Sequence, residues 1–152
     1  MNSRPVKSRP GLMLREFSQI IRTRLSNKLA EIGLTPVWFA ALGALISGKA
    51  ETGAELARYF STDPTAVTRT IDRMEAAGFV TRERSAKDRR VFVINVTDKG
   101  KKAFPKAKAI ADENEQLFFG VLSEEQKDMF VDTLAKLIAN ASKMSPEIDW
   151  EN

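Results

Sequence analysis

The sequence predicts a mainly α chain with one small β-hairpin, an α+β class in which helices dominate. Three observations carry this expectation. Two short helical segments with a tight turn fill 52–78, each with its own start and stop signals. From Arg82 to Val96 the pattern changes to the two-residue alternation of a half-buried hairpin. Long helical apolar stripes stand on both sides of that unit. The arrangement expected is a winged helix-turn-helix with long N- and C-terminal helices.

Residues 1–10 are polar and basic with two prolines, so a flexible arm is expected. Arg4, Lys7 and Arg9 are then available to phosphate or to solvent. From about Leu12 to Ile32, apolar residues recur every three or four positions: Phe17, Ile20, Ile21, Leu25, Leu29 and Ile32. Gly33 ends that helix. Thr35-Pro36 opens the next by a cap followed by proline, whose missing N–H costs nothing at a first helical position. Trp38 stands near its start, Phe39, Leu42, Leu45 and Ile46 form its core face, and Gly48 stops it.

Thr52 and Glu55 form a capping box, in which each side chain satisfies an orphan backbone donor. Leu56, Ala57 and Phe60 supply that helix's apolar face. Asp63 caps the following helix and Pro64 takes its first position. Val67, Ile71 and Met74 recur at i, i+4 and i+7 and share one buried stripe, and Gly78 ends the helix. Thr65, Arg69, Asp72 and Arg73 then project from the opposite side, with Thr68 at its margin. In the hairpin, Phe92, Ile94 and Val96 alternate, so one face packs on the helices. Thr97 starts a long helix in which Phe104, Ala107, Ile110, Leu117, Phe118, Val121 and Leu122 line one side. Pro105 lies inside it and kinks it unless it sits near the N-terminus. Ser123 and Gln126 repeat the capping box before a last helix with Phe130, Leu134, Leu137, Ile138 and Ala141. The tail after it is expected to fray.

The absences narrow the chemistry. With no Cys and no His, thiolate or imidazole zinc sites and Cys- or His-based dyads cannot form. No cofactor and no metal is expected. No apolar run is long enough to span a membrane, and the N-terminus lacks a secretory apolar stretch, so a cytoplasmic location is expected. Charge is uneven. Residues 1–28 carry seven Lys/Arg against one Glu, whereas 112–152 carry three Lys against ten acids. That contrast suggests one half facing nucleic acid and one facing away.

The outward face of 64–76 carries hydroxyls and guanidiniums, groups that bond to phosphates and base edges. A merely solvated face has the same composition. The stretch from Arg82 to Arg90 adds five positive and two negative side chains in nine residues. A tip this basic, joined to a helix–turn–helix, suits the phosphate backbone and a narrow minor groove, although a solubilising loop would look similar. The candidate DNA-contacting set is Pro64, Thr65, Ala66, Thr68, Arg69 and Arg73 with Arg84, Lys87, Asp88, Arg89 and Arg90.

The chain resembles the MarR (multiple antibiotic resistance regulator) family of winged-helix transcription factors. Glu55-Leu56-Ala57, Val67-Thr68-Arg69, Asp72-Arg73-Met74, Gly78-Phe79-Val80 with Arg82, Asp88-Arg89-Arg90 and Thr97-Asp98-Lys99-Gly100 carry the resemblance in this order. Gly33-Leu34-Thr35 and the long terminal helices extend it over nearly the whole chain. It implies 11–33 as a dimerisation helix, 34–97 as the DNA-binding domain, 98–145 as C-terminal dimerisation helices and 146–152 as a tail. It implies a homodimer on a palindromic double-stranded operator, acting as a repressor. It also implies that Arg90 enters the minor groove, that Asp88 holds it in place, and that Arg89 lies nearer the phosphates. Apolar stripes on three long helices point independently to burial against a second copy, or to a bundle folded back within one chain.

The resemblance further implies release by a small aromatic carboxylate. Phe17, Arg22, Arg24, Trp38 and Phe39 are candidates for its aromatic wall and anion partner; core packing and solvent are their plainer roles. An enzyme finds no nucleophile–base–orienter set here. A winged helix that binds protein instead of DNA is the alternative function, but such a surface needs a central apolar anchor, and 65–73 is polar.

Overall fold

The computed structural model describes residues 9–144. In chain order the elements are α1 (Pro10–Ala30), α2 (Pro36–Ile46), α3 (Gly53–Tyr59), α4 (Pro64–Ala76), β1 (Val80–Arg84), β2 (Phe92–Val96), α5 (Asp98–Phe119) and α6 (Glu124–Met144). Arg4, Lys7 and the tail 146–152 lie outside the described residues. α1 begins two residues earlier than the apolar pattern suggests, because Pro10 itself takes a first-turn position behind Arg9.

Local signals set the boundaries. Thr35 Oγ1 accepts from Trp38 N–H at 3.1 Å, and Asp63 Oδ2 accepts from Ala66 N–H at 3.0 Å. Each such cap stabilises its helix by about 1 kcal/mol. Thr52 and Glu55 form the reciprocal box, as do Ser123 and Gln126. The Glu55 carboxylate accepts from the backbone N–H of Glu51 at 2.7 Å and of Thr52 at 3.2 Å. The Glu51 bond foremost holds its pKa below the ordinary carboxylate range. α5 runs through Pro105 as one helix.

Leu29, Leu34, Leu42, Leu56, Ile71, Met74 and Val80 are fully buried and join α1, α2, α3, α4 and β1 into one core. Trp38 meets Phe79 edge-on at 5.7 Å, and Phe39 meets Phe104 of α5 at 5.5 Å. β1 and β2 pair antiparallel, with Val80 opposite Val96 and Arg84 opposite Phe92. A further bridge joins Thr52 to Val93, and Ile94 N–H donates to Glu51 O at 2.8 Å. The wing is thus tied to the start of α3 as well as to α4. α5 passes so close beneath this joint that a Cβ on Gly100 would lie 2.5 Å from Phe79 O and 2.6 Å from Val96 Cγ1.

Three apolar expectations change. Phe92 is exposed, because wing packing ends at Ile94; its ring instead lies 4.9 Å beneath the Arg84 guanidinium. Ile46, the last residue of α2, is exposed. Along α5, Ala107 is buried, but Leu117 is exposed and Val121, just beyond the helix, is 83% exposed. α5 does meet α1, through Phe17 against Phe118 and Phe119 and an Arg24–Glu113 ion pair at 3.0 Å. No described side chain of α6 is buried. Among the described residues no helix is long and apolar enough to cross a membrane.

Candidate nucleic-acid interface

The Asp63 cap and Pro64 fix where α4 begins, and its buried Val67–Ile71–Met74 stripe fixes its rotation. Thr65, Ala66, Arg69 and Arg73 are consequently exposed on the opposite side. Thr68 is also exposed, and its hydroxyl donates to Pro64 O at 3.0 Å, leaving its oxygen free to accept. Among the described residues the guanidiniums of Arg69 and Arg73 have no hydrogen-bond or ion-pair partner.

Asp72 differs from its neighbours. Its carboxylate takes the Arg82 guanidinium at 2.6 Å, while Arg82 Nη1 lies 3.3 Å from Glu75 and Arg82 N–H donates to Glu75 Oε1 at 3.0 Å. A single surface ion pair contributes little. Here one guanidinium spans two carboxylates a turn apart, and the backbone bond fixes the strand as well. The result sets the wing against α4. Periodicity alone puts Asp72 on the outward face and Arg82 among the basic tip charges. Only the strand register, which sends Arg82 back toward α4, separates it from its neighbours.

The wing tip is built by its own backbone. Ser85 N–H donates to Val91 O at 2.9 Å and Val91 N–H to Asp88 O at 3.0 Å. Ser85 Oγ accepts from Lys87 N–H at 3.2 Å. Asp88 Oδ1 accepts from Arg90 N–H at 2.9 Å, so Asp88 acts on Arg90 through the main chain. Such aspartate side-chain turns hold a tight bend without glycine. Arg84 stacks on Phe92 and donates to Arg89 O, which commits it inside the wing. Lys87, Arg89 and Arg90 are exposed, and their charged groups have no partner among the described residues.

The five ligand candidates lie on two helices, Phe17, Arg22 and Arg24 on α1 and Trp38 and Phe39 on α2. Phe17 packs near the C-terminal end of α5, Arg24 pairs with Glu113, and Arg22 is exposed. Trp38 and Phe39 contact different neighbours, Phe79 and Phe104. Between α1 and α5, Asn114 is buried with Oδ1 unpartnered, as is Arg24 Nε.

Residues 32–91 match the model of the MarR family. The HTH-type transcriptional repressor Mb2911 of Mycobacterium bovis is 28% identical, over 84% of this chain and 91% of that protein. A crystal structure of MarR is 26% identical and covers 97% of this chain and 99% of its own, with a TM-score of 0.73. The chain resembles the MarR family in sequence over residues 32–91 and in fold over nearly its whole length. A MarR variant from E. coli complexed with operator DNA shares the fold, with a TM-score of 0.76 at 22% identity over 84% of this chain and 91% of that one. MarR-family relatives of this kind are transcriptional regulators and not enzymes, which removes the enzyme reading. The chain is a MarR-type transcriptional regulator by likeness to these relatives, with a winged helix-turn-helix.

Proposed function

We propose that this regulator is a repressor that binds a palindromic operator as a homodimer and is released by a small aromatic acid. Residues 34–97 act as the DNA-binding domain. Residues 11–33 and 98–145 act as dimerisation elements. The observation that carries the reading is the division of cationic groups on the winged unit. Arg82 and Arg84 are consumed in holding the wing, whereas Arg69, Arg73, Lys87, Arg89 and Arg90 stand exposed without partners among the described residues. A rigid frame that presents unpaired guanidiniums from a helix and a hairpin tip suits a major groove and the minor groove beside it. Pro64, Thr65, Ala66 and Thr68 lie at the helix end that approaches base edges.

Selection of genomic fragments retained by the full chain tests this, with retention measured against salt. The expected result is one or a few fragments with twofold sequence symmetry and affinity falling steeply with salt. Arg69→Ala costs about 1–3 kcal/mol on the selected fragment and leaves the fold intact. Equal retention by Arg69→Ala would mean that this helix does not present Arg69 to DNA.

A further inference from the structure

The hairpin has two unlike faces. In its register Val80 stands opposite Val96, Arg82 opposite Ile94 and Arg84 opposite Phe92. Side chains two residues apart along a strand share a face, so these three pairs lie on one face and Glu83 and Val93 on the other. The first two pairs show where their face looks. Val80 and Ile94 are buried in the core, and Arg82 is held by Asp72 and Glu75 of α4. The third pair continues that face beyond the core, toward the tip. Phe92 and Arg84 therefore stand on the α4 side of the wing. The one carboxylate of β1, Glu83, is on the far side.

Phe92 is 45% exposed, and Val91 beside it is exposed as well. Single apolar side chains on a surface are ordinary. This one differs in being held. The Arg84 guanidinium lies 4.9 Å over its ring, and Arg84 is itself bonded to Arg89 O. The cation covers one face of the ring and leaves the rest open. Toward the tip the neighbours are the exposed cations Arg89 and Arg90. A fixed apolar surface thus lies between the outer face of α4 and the charged tip.

Position points to what covers it. Adjacent grooves of a duplex are separated by a single sugar–phosphate strand. With α4 in the major groove and Arg90 in the minor groove beside it, that strand crosses the α4 side of the wing. It alternates anionic phosphate with deoxyribose, whose C–H rim is apolar. Arginine and lysine match the phosphate; an apolar side chain matches the sugar. We propose that Phe92, held flat by Arg84, packs on a deoxyribose of the strand between the two grooves and supplies a salt-independent part of operator affinity. The inference rests on the DNA-binding reading above. It makes Phe92 a contact residue and Arg84 the residue that positions it.

The test uses the full chain on a duplex fragment that the parent protein retains. Hydroxyl radicals cleave DNA at the sugar, so protection from them reads deoxyribose contact. Phe92→Ala should lose protection over a short run of the strand between the grooves and keep the rest of the footprint. Its affinity should fall about tenfold, as for a truncated aromatic contact. The slope of affinity against salt should not change, because no phosphate contact is lost. Phe92→Leu should recover part of the affinity. Lys87→Gln, which removes a charge from the tip, is the comparison and should lower the slope by about one. In an Arg84→Gln background Phe92→Ala should weaken binding further. No further loss there would mean that the ring serves only to hold Arg84, and overturns the contact. A lower salt slope in Phe92→Ala overturns it as well. Affinity and footprint indifferent to Phe92 leave the ring to a protein partner and overturn the contact, while the DNA-binding reading stands. A parent protein that retains no duplex fragment overturns both.

Discussion

The winged unit and the outer helices bury their apolar residues to very different degrees. In the winged unit Leu56, Ile71, Met74 and Val80 are almost wholly enclosed, and α4, which bears Ile71 and Met74, has a polar outer face. In the outer helices Met129 and Leu137 are 63% and 52% exposed, and no described side chain of α6 is buried. Both regions have helical periodicity, and side chains cap α2, α3, α4, α5 and α6. The difference is that the α4 stripe is closed within the chain, whereas α6, which meets α5 through Phe130 against Phe119, leaves most of its apolar residues open. Monomeric proteins rarely leave apolar area of that kind open. The comparison teaches that the winged unit is self-contained, whereas α6 leaves apolar area open, which supports the proposed dimer.

The largest expected effect breaks that contrast directly. Leu137→Asp on a lone chain changes an exposed residue and should shift stability by no more than about 0.5 kcal/mol. In a dimer it buries an unpaired carboxylate. We expect loss of the dimer by sedimentation and, with it, loss of tight operator binding. Removing residues 123–152 should do the same with poorer solubility. A Leu137→Asp protein that stays dimeric would place the interface elsewhere.

The wing tip gives the next effect. Arg90→Ala should weaken operator binding more than tenfold, as the loss of a minor-groove guanidinium implies, and Arg90→Lys should recover only part, because lysine keeps charge but loses the planar fork. Asp88→Ala sharpens the point. If net charge alone mattered, deleting an anion beside DNA would tighten binding. Because Asp88 holds the Arg90 backbone, binding should instead weaken. Tighter binding by Asp88→Ala at moderate salt would reduce the tip to a basic loop.

Where α5 meets the winged unit, Gly100→Ala should destabilise by about 1–3 kcal/mol, since the new methyl meets backbone and Val96 with nowhere to go. Thermal unfolding checks it, and an unchanged midpoint would mean that α5 can move away from the wing freely. The smallest effect is a pH dependence. Glu55 has a lowered pKa in the fold, so its contribution is present above the ordinary carboxylate value and lost as pH falls through the folded one. Stability should therefore decline a little more on acidification in the parent than in Glu55→Gln. Parallel pH profiles would show that the capping carboxylate contributes nothing.

These contrasts also mark what could be read from the chain. Thr35, Thr52, Asp63, Thr97 and Ser123 were legible because a cap and its helix lie within four residues of each other. The Val67–Ile71–Met74 stripe was legible because periodicity is local too. The Arg82 clamp was not, because it depends on a strand register bringing residue 82 back to residues 72 and 75. The exposed Phe92, the close approach at Gly100 and the Lys99 bond to Ala77 share that cause: each depends on contacts distant in sequence.

The most direct test of a two-copy DNA reader is the mass of the complex at saturation on a selected genomic fragment. Light scattering on the purified complex gives that mass. Two chains per duplex with one symmetric site are expected, bound together with no one-chain intermediate at low salt. One chain per duplex at saturation, or independent filling of the two half-sites, would contradict it.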